Sequence, residues 1–271
     1  MHSLEKKVAR PFIEIADGHQ LFVRDWGAGT PVVLLSGWAM DSRGWAETMI
    51  RITHAGFRAI SMDRRGHGRS TDPGVISYDL LADDLATVID RLGLDKIILV
   101  AHSGAGGEAI RYLSRYGSTR VARLVLVGAT GPKMVAQSPG DPGIPKDLVE
   151  LSVNQIAHDL ESWLQENLAP FAPGADQATL DWLGTMARDS SRRLLVDFQR
   201  AILETDFVVE ARKIDVPVRL IHGTEDVSAP IDLTARHYAK IIPNAELLVY
   251  EDAAHGLMIT HAGRLAEDII R

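Results

Sequence analysis

Cysteine is absent from the 271 residues. That excludes disulfides and thiolate metal sites, and it suits a reducing compartment, so a cytoplasmic location is expected. No stretch approaches the run of about 18 apolar residues that a membrane-spanning helix needs, so no membrane span is expected. Lys and Arg form no stripe or cluster and the net charge is −7, which argues against a nucleic-acid partner. Met1-His2-Ser3-Leu4-Glu5-Lys6-Lys7 contains no apolar h-region, so no signal peptide is expected. No segment repeats. What remains is a globular composition, 46% hydrophobic and 24% charged, on a chain long enough for one core plus an insertion.

The order of elements follows from periodicity. Phe12–Ala16 and Gln20–Trp26 flank Asp17-Gly18, a hairpin signal. Strands at Val32–Leu35 and Phe57–Met62 enclose a helix at Trp45–His54, and a helix at Tyr78–Leu92 precedes the strand Lys96–Ala101. A strand at Arg123–Val127 comes next. Alternating strands and helices imply an α/β fold with a mainly parallel sheet covered on both faces. From Thr130 to about Lys213 the alternation stops. A Pro/Gly-rich loop, Pro132–Pro145, leads into helical stretches near Leu148–Leu168, Asp176–Arg188 and Arg192–Leu203. The expected organisation is a core at 1–130, a helical cap insertion at 131–212 and the rest of the core at 213–271.

Ile97-Ile98-Leu99-Val100-Ala101-His102-Ser103-Gly104-Ala105-Gly106-Gly107 carries the most information. An apolar, β-branched run fits a strand buried on both faces, and Gly104–Arg115 suits a helix. Ser103 then sits on a sharp strand-to-helix turn, where Ala101 and Ala105 leave the backbone room to fold back. Such a turn lifts the hydroxyl out at the carboxyl edge of the sheet and aims the first helical N–H groups at it. Ser138 also has small residues on both sides, but no strand precedes it.

A serine needs a base, and the base needs an orienting carboxylate. On this kind of sheet the order is serine, acid, histidine. Val216–His222 reads as a buried strand ending in Gly223-Thr224-Glu225-Asp226. Asp226, beyond the glycine turn, is the expected acid and Glu225 its rival. Of the downstream histidines, His237 falls within a helical stretch at Ile231–Ile241 and His261 at the start of the last helix. His255 follows the strand-like Glu246–Tyr250 with Gly256 beside it, and it is the expected base. The oxyanion formed on acyl transfer needs two N–H donors, each worth roughly 3–4 kcal/mol in the transition state. Gly104 supplies one. Trp38, after the strand Val32–Leu35 and the turn Ser36-Gly37, supplies the other and offers its indole as a flat wall.

These residues and others make the chain resemble the α/β-hydrolases of the bacterial arylesterase and cofactor-free haloperoxidase group. The resemblance runs through Ser36-Gly37-Trp38, Asp63-Arg64-Arg65-Gly66-His67-Gly68-Arg69-Ser70, Ala101-His102-Ser103, Val121–Ala129, Glu204-Thr205-Asp206-Phe207, His255-Gly256-Leu257 and Thr260-His261. The arginine- and glycine-rich Asp63–Ser70 would suit an anion in isolation; here it is expected to be structural, with His67 as packing. Some positions depart from the group. Ser36 replaces a histidine, Ala101 replaces a glycine, and Gly104 stands where Met or Thr is usual, which is expected to leave a roomier pocket floor. Ala39 stands where haloperoxidase-type members often carry proline.

The resemblance implies an α/β-hydrolase that cleaves carboxylic esters, lactones such as N-acyl homoserine lactones included, through Ser103, His255 and Asp226, without cofactor or metal. Its partner would be a small-molecule ester or lactone; self-association stays open. Peracid formation from hydrogen peroxide is the alternative, and a binding-only receptor a further one. Trp163, Leu164, Leu168, Phe171, Trp182, Leu183 and Met186 are candidates to line the pocket, although apolar residues at helical spacing more often form core.

Overall fold

A computed structural model describes residues 11–136, 138 and 140–271. The N-terminal segment inspected for a leader, Met1–Lys7, lies outside the described residues. The strands are β1 (Phe12–Glu14), β2 (Gln20–Gly27), β3 (Pro31–Leu35), β4 (Arg58–Met62), β5 (Ile97–His102), β6 (Val121–Val127), β7 (Val218–Gly223) and β8 (Ala245–Tyr250). They form one sheet in the order β1-β2-β4-β3-β5-β6-β7-β8. β2 runs antiparallel to both β1 and β4, and every other pairing is parallel. This is the mainly parallel sheet expected from the alternation of elements.

The helices are α1 (Ala46–His54), α2 (Tyr78–Arg91), α3 (Ala105–Tyr116), α4 (Lys146–His158), α5 (Leu160–Phe171), α6 (Gln177–Arg188), α7 (Arg192–Glu204), α8 (Val208–Ala211), α9 (Ala235–Ile241), α10 (Leu257–Thr260) and α11 (Ala262–Ile270). Successive residues of β5 point to opposite sides of the sheet. Ile97, Leu99 and Ala101 join a core built with Leu81 and Leu85 of α2 and Ile110 of α3. Ile98 and Val100 join the opposite core with Met49 and Ile52 of α1 and Leu265 and Ile269 of α11. Every residue of β5 is buried. Each large aliphatic side chain so covered contributes roughly 1.5–3 kcal/mol, so the strand that carries Ser103 is anchored from both faces. No helix among the described residues is long and apolar enough to cross a membrane.

Helices α4 to α8 intervene between β6 and β7, with no strand among the described residues there. The stretch expected as one helix over Leu148–Leu168 is two. Asp159 leaves helical geometry (φ −147°, ψ 65°) and its side chain accepts the Ser162 N–H at 3.2 Å, capping α5. The helix expected over Ile231–Ile241 starts only at Ala235, because Leu233 and Thr234 N–H groups turn back onto the Pro230 carbonyl.

Candidate active site

Four loops meet at the carboxyl edge of the sheet. They follow β3, β5, β7 and β8, and carry Trp38, Ser103, Asp226 and His255 respectively. Ser103 adopts φ +55°, in the left-handed region that side chains avoid, at a cost of about 1–3 kcal/mol. Its peptide groups hold that turn. Ser103 N–H donates to the Val127 carbonyl at 3.0 Å, and the Ser103 carbonyl accepts from Gly106 at 2.9 Å and Thr130 at 3.2 Å. Gly37 is required beside it, since a Cβ there would lie 2.7 Å from His102 Nδ1 and 2.9 Å from Ser103 Cβ.

The structure brings Ser103, His255 and Asp226 into one hydrogen-bonded line. His255 Nδ1 lies 2.7 Å from Asp226 Oδ2, and His255 Nε2 lies 2.9 Å from Ser103 Oγ. A carboxylate only accepts, so the proton belongs on Nδ1 and leaves Nε2 free to accept the serine hydroxyl. Asp226 Oδ1 accepts the Ala229 N–H at 2.8 Å. Burial pulls the Asp226 carboxyl upward, but the electrostatic pull of the adjoining His255 ring and the hydrogen bonds from His222 and His255 outweigh it, and the group lies well below the ordinary carboxylate range. Glu225, its rival, is exposed and outside the line. His237 lies in α9 and His261 at the start of α11, and neither contacts Ser103.

Two further histidines support the line. His222 Nε2 donates to the Ala229 carbonyl at 2.7 Å and lies 3.2 Å from Asp226 Oδ2, so it braces the acid loop from within β7. His102 Nε2 donates to the backbone carbonyl of His255 at 3.1 Å. Burial, reinforced by the neighbouring His255, holds the His102 imidazole well below its usual value and therefore neutral. The ring of Phe171, at the end of α5, sits 5.6 Å from that of His255, and its carbonyl accepts the Gly256 N–H at 2.7 Å.

The backbone N–H groups of Trp38 and Gly104 have no hydrogen-bond partner among the described residues. The Trp38 indole donates from Nε1 to the Leu195 carbonyl at 2.8 Å and packs edge-on against Trp163, centroids 4.7 Å apart. Ala39, next to it, has φ +57°, a value closed to proline. Ser103, His255 and Trp38 open into a predominantly apolar cavity of about 140 Å³, comparable to one that accepts benzene.

Trp163, Leu164, Leu168, Phe171 and Leu183 line that cavity, whereas Trp182 is exposed and Met186 is buried in the core away from it. Gly104 does not leave a roomier floor: Ile202 of α7 fills the space, with its Cγ1 2.7 Å from where a Gly104 Cβ would stand. Asn167 and Gln199 bring polar amides to the same wall, and Met134, Ile202 and Leu203 are among its apolar residues. Sequence reading passed over these five. The helical spacing of Gln199, Ile202 and Leu203 on one face of α7 was the available signal.

The arginine-rich segment is occupied internally. Arg64 pairs with Glu108 and Arg65 with Asp84, each at 2.7 Å and each buried, so neither guanidinium is free for an anion. Among the described residues, no cluster of three or more His, Asp or Glu side chains is arranged to hold a metal ion.

Residues 30–262 match the alpha/beta hydrolase fold family. The chain belongs to that family. It is 34% identical over 268 residues to a non-heme haloperoxidase of Rhodococcus erythropolis, covering 96% of this chain and 98% of that one. It is 32% identical over 272 residues to a bifunctional esterase/perhydrolase of Acinetobacter calcoaceticus, with the same two coverages, 96% and 98%. The bromoperoxidase structure from Bacillus anthracis superposes with a TM-score of 0.92 at 29% identity, over 96% of this chain and 97% of that one. This α/β-hydrolase therefore sits in the haloperoxidase and esterase group that its sequence motifs resemble.

Proposed function

We propose that this α/β-hydrolase cleaves carboxylic esters, lactones included, through an acyl-enzyme on Ser103. The observation that carries the proposal is the path from Ser103 Oγ to His255 Nε2 and from His255 Nδ1 to Asp226, ending at the floor of an apolar cavity. In this reading His255 takes the hydroxyl proton as Ser103 attacks the acyl carbon. Asp226, ionised, holds the imidazole in the productive tautomer and stabilises its charged form. The Trp38 and Gly104 N–H groups receive the oxyanion. His255 returns the proton to the leaving alcohol, then activates the water that releases the acid. In a lactone the leaving alcohol stays tethered, and the same steps open the ring. Helices α4 to α8 act as a cap that shapes the cavity, whose size favours short or aromatic acyl groups.

A second reading has support from the relatives. Hydrogen peroxide in place of water would attack acyl-Ser103 and release a peracid together with free Ser103. The haloperoxidase and perhydrolase names of the relatives favour it; the φ of Ala39 sets this loop apart from one built around proline.

Release of p-nitrophenol from acetate, butyrate and octanoate esters tests the main reading, with ring opening of an N-acyl homoserine lactone and peroxide-dependent halogenation of a dione run beside it. Fast turnover of acetate over octanoate is expected. Silence on esters and lactones alike would overturn the proposal.

A further inference from the structure

Arg64, Glu108 and the loop after β3 form an arrangement that packing alone does not require. The guanidinium is 4% exposed as a residue and Glu108 fully buried. Arg64 Nη2 donates to Glu108 Oε2 at 2.7 Å and Nε to the same oxygen at 3.2 Å. Its other hydrogen bonds go to two successive backbone carbonyls, Nη2 to Ser36 O at 2.7 Å and Nη1 to Gly37 O at 3.2 Å, and its flat face lies 4.6 Å over the Phe198 ring. The Gly37 carbonyl and the Trp38 N–H belong to one planar trans peptide, so they point in opposite directions. Fixing the carbonyl from behind fixes where the N–H points in front.

The other donor peptide is held the same way. The carbonyl of the Ser103–Gly104 peptide is bound by the N–H groups of Gly106 and Thr130, which fixes the Gly104 N–H in the opposite direction. Glu108 lies on α3, the helix that begins beside Gly104. Through this ion pair and its two carbonyl bonds, Arg64 therefore ties the loop carrying one N–H donor to the helix that begins beside the other. Arg65 and Asp84 supply an internal contrast. They are equally buried and paired at 2.7 Å, but the remaining Arg65 contact is the Val75 carbonyl, remote from the site.

We propose that Arg64 is a positioning residue for the oxyanion donors, aiming the Trp38 N–H through the Gly37 carbonyl, with Glu108 as the counter-charge that sets the guanidinium. This rests on the oxyanion role proposed above for Trp38 and Gly104. Burial raises the Glu108 carboxyl and Arg64 opposes it, so removing only the arginine leaves an uncompensated buried acid. The informative variant is therefore Arg64→Met/Glu108→Met, which removes both charges; Arg64→Lys keeps the charge but loses the planar fork that reaches two carbonyls.

The test compares these variants with Arg65→Met/Asp84→Met in the full-length protein. It measures kcat and KM on p-nitrophenyl acetate, the melting temperature, and the chemical shift and hydrogen exchange of the Trp38 backbone amide. The expected result is a fall of about 10²-fold in kcat for Arg64→Met/Glu108→Met, as for a lost oxyanion donor, with KM within about threefold. The Trp38 amide should shift and exchange faster. Arg64→Lys should recover part of kcat, and the Arg65 and Asp84 pair should leave kcat within a few fold. A folded Arg64→Met/Glu108→Met protein with wild-type kcat and an unmoved Trp38 amide would overturn the proposal. If the wild-type protein turned over no ester, the reading of its function would fail, and the Trp38 amide alone would decide the role of Arg64.

Discussion

Ile202 occupies the space that a side chain at position 104 would need. A Cβ on Gly104 would overlap the Ile202 Cδ1 and stand 2.7 Å from its Cγ1. Gly104→Ala should therefore destabilise the protein by about 1–3 kcal/mol through overpacking. Ile202→Ala opens the slot, and Gly104→Ala/Ile202→Ala should recover much of the loss contributed by the new methyl. Denaturant unfolding of the four proteins measures the coupling. Additive losses would show that the two positions do not share the space.

Ser103→Ala removes the proposed nucleophile and leaves the cavity otherwise intact. Ester turnover should fall below about a thousandth of wild type, with the melting temperature nearly unchanged or raised by relief of the buried hydroxyl. Residual activity above that level would assign the chemistry to another group.

Asp226→Asn keeps the shape of the acid and removes its charge. The imidazole then loses the partner that keeps the proton on Nδ1, and kcat should drop by about 10⁴-fold. His222 would no longer face a carboxylate, so its brace on the loop weakens with it. Steady-state kinetics on p-nitrophenyl acetate checks the size of the effect; a loss of less than tenfold would show that Asp226 is not the orienting acid.

The buried His67 should make a contribution to stability that is lost on acidification, against the opposite trend of the raised buried carboxyls Asp63, Asp84 and Glu108. Burial, with the Arg64 charge behind it, lowers the His67 imidazole to about 4. The unfolded chain takes up that proton near the ordinary histidine value of about 6.5, so between the two values the unfolded state binds more protons. The stability present above about pH 6.5 declines towards pH 4 by about 3 kcal/mol from this group, and His102 adds in the same direction. His67→Phe should flatten the dependence, as read from melting temperatures between pH 4.5 and 7. An unchanged slope would place the effect elsewhere.

The local parts of the site are legible in the sequence, and the parts made by distant packing are not. Ala101-His102-Ser103-Gly104-Ala105 announces its turn because strand, small neighbours and helix are contiguous. Asp226 and His255 stand out by order and by their place after β7 and β8, and the structure sets them beside Ser103. The character of the cavity floor was misread at Gly104 because the side chain that fills it lies 98 positions away at Ile202. Arg64 and Glu108 were visible as charges, but they pair with each other across 44 positions and Arg64 also reaches two backbone carbonyls, which no sequence pattern displays. Glu108 did leave a trace: an acid among Gly and Ala at the start of a helix whose face must be buried. The break at Asp159 was signalled by a capping residue with Ser162 three positions on, and the continuous apolar spacing around it hid that signal.

Phe171 ends α5 with its carbonyl bound to Gly256 and its ring against His255. The His255–Gly256 peptide is thereby gripped at both ends, its carbonyl by His102 and its N–H by α5, so the cavity wall and the seat of the proposed base share one backbone unit. A substitution that shifts the end of α5 reaches the imidazole through that unit without touching the triad itself.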